Sequence, residues 1–93
     1  MGKEVRLFKS EERHTRSEVA SFLRELAGKL DEGTVILKQG DEEITLELPH
    51  NLILDIQVED ENKKRKGIQH SLEVEIKWFD GDDEVAGGPL KLG

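Results

Sequence analysis

Residues 69–78, QHSLEVEIKW, alternate along most of their length: Leu72, Val74, Ile76 and Trp78 are apolar, and Ser71, Glu73, Glu75 and Lys77 are polar. Successive side chains of a strand point to opposite faces, so this alternation predicts a half-buried strand. The same period recurs upstream. Val5 and Leu7 predict a short first strand, with Phe8 turned to its other face. Val35 and Leu37, with Ile36 between them, predict a strand over residues 34–39. Ile44, Leu46 and Leu48 alternate with Glu43, Thr45 and Glu47 to predict the next. Gly40-Asp41 between these two runs reads as a hairpin turn, and Pro49 ends the second run because it cannot donate to a ladder. Leu52, Leu54, Ile56 and Val58 against Ile53, Asp55, Gln57 and Glu59 predict a fourth strand. Residues 60–67, DENKKRKG, read as a charged loop with an acidic half and a basic half, and Gly67 marks its exit.

One segment has helical period. Val19, Phe22, Leu23, Leu26 and Leu30 fall at i, i+3, i+4, i+7 and i+11, a single apolar stripe with Ala27 beside it. Thr15-Arg16-Ser17-Glu18 has the spacing of a capping box, in which Thr15 and Glu18 each accept from the other's backbone amide. Lys29 in the last turn and Gly33 beyond it suit the helix end. A helix over residues 16–32 is expected.

The order is strand, helix, then four strands joined by short connections. The expected fold class is α+β: a two-layer domain with one amphipathic helix packed on a mostly antiparallel five-stranded sheet, in the order β-α-β-β-β-β. The first strand pairs either with the last or with the second. Residues 1–79 form the single expected domain, and the Gly- and Asp-rich residues 80–93 a C-terminal tail, with Pro89, Leu90 and Leu92 docking at its end.

Composition narrows the function classes. The chain has 93 residues and no cysteine, so disulfides and thiolate chemistry play no part. Its 14 basic and 21 acidic side chains give a net charge of −7, which repels nucleic acid and anionic lipid at long range. The periodic apolar residues argue for a folded domain although 38% of residues are charged. No apolar run reaches the ~20 residues that span a bilayer, and the first residues lack the apolar core of a signal peptide. A cytoplasmic protein with no membrane association is expected.

Candidate chemistry is sparse. The sheet face away from the helix is expected to carry Glu43, Thr45, Glu47, Asp55, Gln57, Glu59, Glu73, Glu75 and Lys77. Such a face reads first as a solvated face kept soluble by charge, and second as a docking surface for a basic partner. Lys63, Lys64, Arg65 and Lys66 form one local anion patch, whose plain reading is a solvated hairpin tip. No aromatic residue is interleaved there for base stacking. His14, His50 and His70 stand apart, without metal spacing, and no phosphate-binding glycine loop is present. Asp80, Asp82 and Glu84 start like a calcium loop, but Val85 replaces the required glycine and Lys91 the closing carboxylate. No catalytic residues, metal ligands or cofactor are assigned, and an enzyme is not expected.

Four segments carry a resemblance: LFKSEER near the start, the helix TRSEVASFLRELAGKL, ITLELP followed by Asn51, and the closing SLEVEIKW. Their order and spacing resemble the amphi-Trp domain family over residues 5–78, and the GGPLKLG tail is similar to that of bacterial members. The resemblance implies a small stand-alone cytoplasmic domain and carries over no catalytic residue. The expected function is a non-enzymatic protein-interaction module, a homo-oligomer or a subunit of a larger assembly, with Phe8, Ile36, Ile53 and Phe79 as exposed contact candidates. The alternative is polyanion or nucleic-acid binding through Lys63, Lys64, Arg65 and Lys66, against which the acidic balance argues.

Overall fold

The computed structural model describes residues 2–81. One helix and four strands follow one another in the order α1 (Arg16–Glu32), β1 (Thr34–Gln39), β2 (Glu42–Glu47), β3 (Ile53–Asn62) and β4 (Ile68–Lys77), with a short 3-10 turn at Lys64–Lys66. The class is α+β. The strands form two separate two-stranded antiparallel sheets, β1-β2 and β3-β4. The five-stranded sheet of the sequence reading is not formed by the described residues. Its first strand at Val5 and Leu7 is absent, since residues 2–15 have no regular secondary structure. The chain divides into two compact units, Met1–Leu48 and Pro49–Gly93. Of the tail expected over residues 80–93, residues 82–93 lie outside the described residues, and with them Asp82 and Glu84 of the calcium-like run and the docking leucines.

In the first unit, α1 begins as its sequence requires. The Glu18 amide donates to Thr15 Oγ1 at 3.1 Å, and the Thr15 amide donates to Glu18 Oε1 at 2.8 Å, completing the capping box. These bonds favour the ionised carboxylate. The Thr15 backbone bond, then the Thr15 side chain, hold Glu18 below the ordinary glutamate range, helped by His14. At the other end Gly33 takes a φ of 89°, and its amide donates to the carbonyls of Lys29 and Leu30. A left-handed residue here closes the helix and costs glycine little.

Gly33 also starts the hairpin, because its carbonyl accepts from the Leu48 amide at 2.8 Å. β1 and β2 pair from Thr34↔Glu47 to Gln39↔Glu42. In the Gly40-Asp41 turn the positive φ falls on Gly40, as a II′ hairpin turn requires of its first central residue. One face carries Val35, Leu37, Ile44 and Leu46, and α1 packs on β1. The N-terminal segment is tied down without forming a strand: Gln39 Nε2 donates to Glu12 Oε1 at 2.5 Å. Phe8 is half-buried and shares a hollow with Phe22, Ile36 and Leu37. It is therefore packing material in this unit, unlike the exposed contact expected from the sequence.

The packing is thin. Among the described residues Val35, at 4% exposure, is the only buried hydrophobic side chain. Val19, Phe22 and Leu23 on the helix stripe remain about half exposed. A buried valine contributes about 1.5–3 kcal/mol, comparable to the cost of ordering one or two residues. Each unit thus has more apolar surface than it covers.

In the second unit β3 and β4 pair over ten residues each, from Ile53↔Lys77 to Asn62↔Ile68. The strands are longer than the alternation alone suggested at the tip. Asp60, Glu61 and Asn62, expected in the loop, belong to β3 and pair with His70, Gln69 and Ile68. Only residues 63–67 remain as connection.

The capping box yields a pH prediction. The Glu18 carboxyl has a lower pKa folded than unfolded, so its contribution is present above the unfolded value and disappears as pH falls through the folded one. Thermal unfolding followed by circular dichroism should show Glu18→Gln less stable than the parent chain at neutral pH. The difference should close as the pH drops below the ordinary glutamate range.

Candidate functional site

The β3–β4 hairpin sorts its side chains into two unlike faces. The register sets Leu54 against Ile76, Ile56 against Val74 and Val58 against Leu72 on one face. Side chains two apart on a strand share a face, so these six make one continuous apolar patch. Ile68, pairing with Asn62, continues its line, and the pair Asp60 and His70 interrupts it near the tip. His70 Nδ1 lies 2.6 Å from Asp60 Oδ1. The patch is open: Val58 is 75% exposed, Leu72 70%, Leu54 66%, Val74 56% and Ile56 52%, while Ile76 is half-buried.

The opposite face carries Asp55, Gln57, Glu59 and Glu61 against Glu75, Glu73, Ser71 and Gln69. Asp55 directly faces Glu75, an arrangement that destabilises a ladder unless a cation intervenes. Lys77 supplies it, with Nζ 3.2 Å from Asp55 Oδ2 and 3.7 Å from Glu75 Oε1. The hydrogen bond and charge of Asp55, and then Glu75, push the Lys77 amine above its ordinary pKa. A shallow hollow of about 450 Å³ lies over Asp55, Gln57, Glu73, Val74 and Glu75. This is the second-unit part of the acidic face read from the sequence. Its other members, Glu43, Thr45 and Glu47, lie on β2 in the first unit, opposite Lys38, Ile36 and Thr34.

Trp78 follows the last residue of β4 and is half-buried, not enclosed. With Ile53, Ile76, Lys77 and Phe79 it lines an open hollow of about 420 Å³. Ile53 is 43% and Phe79 70% exposed. In the first unit Ile36 is 51% exposed.

The tip presents the basic patch. Lys63, Lys64, Arg65 and Lys66 are all exposed and are brought together by a tightly bonded turn. The Lys63 amide donates to the Gly67 carbonyl at 2.7 Å, and the Gly67 amide to the Lys64 carbonyl at 3.1 Å. Asn62 Oδ1 accepts from the Lys64 amide at 2.8 Å. Lys64 itself has a φ of 56°, the left-handed region that side chains rarely occupy. Lys63 Nζ is spent on Glu61 at 3.2 Å, whereas Lys64, Arg65 and Lys66 make no ion pair among the described residues.

The histidines stay apart. His14 lies 3.8 Å from both Glu12 and Glu18, His70 contacts Asp60, and His50 follows Pro49 beyond β2. Among the described residues no group of three or more His, Cys, Asp or Glu could hold a metal ion. The Asp60–His70 pair and the extension of the apolar line to Ile68 went unread in the sequence. The signal was there: Ile68, His70 and Leu72 continue the period-2 alternation backwards, but the charge run around Lys63 masked it.

A family model described as the Amphi-Trp domain matches residues 1–93, the whole chain. The chain belongs to the Amphi-Trp domain family. No curated protein and no solved structure matches it. The Amphi-Trp match runs beyond the residues that carried the sequence resemblance, on both sides of residues 5–78, and it spans both units. No helix among the described residues of this Amphi-Trp chain is long and apolar enough to cross a membrane.

The tip turn depends on Gly67, whose φ of 88° and ψ of −155° lie in a region open essentially only to glycine. There is room for a methyl group, so the penalty is conformational. Gly67→Ala should cost about 1–3 kcal/mol of hairpin stability and speed exchange of the Lys63 amide, measured by native-state hydrogen exchange.

Proposed function

We propose that this Amphi-Trp chain is a small, non-enzymatic protein-interaction module whose working surface is the apolar face of the β3–β4 hairpin. The observation that carries this reading is the row Leu54, Ile56, Val58, Leu72 and Val74, each more than half exposed on a two-stranded sheet. An isolated two-stranded hairpin is marginal in water and gains independent stability by covering an apolar face. Contiguous exposed apolar patches of this kind mark interaction sites. In this reading the second layer that the alternation calls for is supplied by association. The acidic face then remains in solvent, where its charge keeps the assembly soluble.

The chain has no native thiol, so Val74→Cys introduces a single reporter in the middle of the face. In dilute solution the reading predicts a thiol that reacts with a maleimide as fast as a free cysteine. A thiol that stays blocked in a chain of 10.6 kDa measured mass would show the face covered by its own chain, and would remove the reading.

A second reading, polyanion binding at the hairpin tip, is favoured by one observation: Lys64, Arg65 and Lys66 are gathered on a hydrogen-bonded turn with no ion-pair partner among the described residues. Three free cations give a binding constant that falls steeply with salt. Titration with a polyanion such as heparin at low ionic strength should show binding that Lys64→Glu with Arg65→Glu abolishes. Absence of binding at low salt would discard it.

A further inference from the structure

Resting on the reading of the β3–β4 face as a working surface, we infer that its occupant is a second copy of this chain, packed face to face through the same residues about a two-fold axis.

Three features of the hairpin select this partner. The first is area. Leu54, Ile56, Val58, Leu72 and Val74 are each 52–75% exposed, an uninterrupted apolar row that supplies a substantial part of the ~800 Å² each partner of a stable interface buries. The second is charge. Between Leu54 and Val58, and between Leu72 and Ile76, the face carries no ionisable side chain, whereas Asp55, Glu59, Glu61, Glu73 and Glu75 all project from the other side. Packing two apolar faces together directs every one of these carboxylates outward, so the two hairpins associate without opposing these acids across the contact. A basic protein would be drawn to the acidic side instead, and an anionic lipid surface would be repelled by it. The third is side-chain type. A row of Leu, Ile and Val side chains on paired strands interdigitates with another such row, as the inner faces of a β-sandwich do about 10 Å apart. The face is thereby self-complementary, which is what an isologous two-fold contact needs.

Asp60 and His70 bound the patch near the tip. They place a polar, hydrogen-bonded pair at the rim of the contact, in the usual order of apolar centre and polar margin.

The test is molar mass against concentration for the full chain, by sedimentation equilibrium, together with Val58→Glu. Val58 is 75% exposed in the single chain, so the glutamate leaves the hairpin itself undisturbed, and circular dichroism checks this. The expected result is a dimer for the parent chain and a mass halved to that of one chain for Val58→Glu, with unchanged secondary structure. The Val74→Cys thiol should react at least about tenfold more slowly in the dimer than in the dissociated chain. A dimer unaffected by Val58→Glu places the contact elsewhere, such as along a strand edge, and overturns the inference. A parent chain that is monomeric at all concentrations overturns it too. If the Val74→Cys thiol of that monomer is reactive, the face remains a site for a different protein and only the second copy is rejected. If the thiol is blocked, the interaction reading fails with it.

Discussion

The antiparallel pairing of β3 with β4 is the constraint on which the second unit depends. Ten paired residues on each strand fix one register, and a slip by a single residue would exchange the two faces. In the observed register the branched apolar side chains meet across the ladder, and Asp55 meets Glu75. Cross-strand pairs such as Ile56 with Val74 favour this alignment, while Asp55 opposite Glu75 opposes it. Lys77, reaching across to Asp55 and back to Glu75, relieves the repulsion at the end where it is greatest. The hairpin thus tolerates a concentrated negative face because one amine sits where two carboxylates converge.

That same register creates the open apolar surface of the second unit. Apart from Ile53, which pairs with Lys77, the apolar side chains of β3 and β4 are gathered on one side of a two-stranded sheet, which has no third strand within the described residues of its unit. The first unit differs. There α1 lies on β1, Val35 is buried, and Phe8 and Glu12 of the N-terminal segment close over the same strand. The contrast explains why the proposed working surface belongs to the second hairpin. It also separates the tip from the faces: the tip is organised by backbone bonds and an asparagine cap, with Lys63 held in addition by Glu61.

Much of this was legible in the residues. Thr15, Glu18 and Gly33 delimit α1 by local hydrogen bonding, and the helix ends where they place it. The alternation of Ile44 and Leu46, of Leu54 to Val58 and of Leu72 to Ile76 assigned each side chain to a face correctly. Val5 and Leu7 misled, because two alternating residues carry too little period to compete with the contact that Glu12 and Gln39 offer an irregular segment. The charge run DENKKRKG misled in the other direction. Its polarity suggested a loop of eight residues, but strand pairing with Ile68, Gln69 and His70 extended the ladder through Asn62, since an edge in solvent accepts charged side chains freely.

The sequence by itself determined the class, the helix and its caps, the four strands that form, the family, and the segregation of apolar from acidic residues. All of these follow from period, capping chemistry and turn residues, which act over a few neighbours along the chain. Tertiary structure alone decided that the strands pair as two hairpins and not as one sheet. It decided that Phe8 packs while Trp78 is only half covered, and that the apolar row of β3 and β4 is left open. An alternating strand specifies that one face must leave water, but the identity of what covers it depends on which distant surface matches it in area and charge.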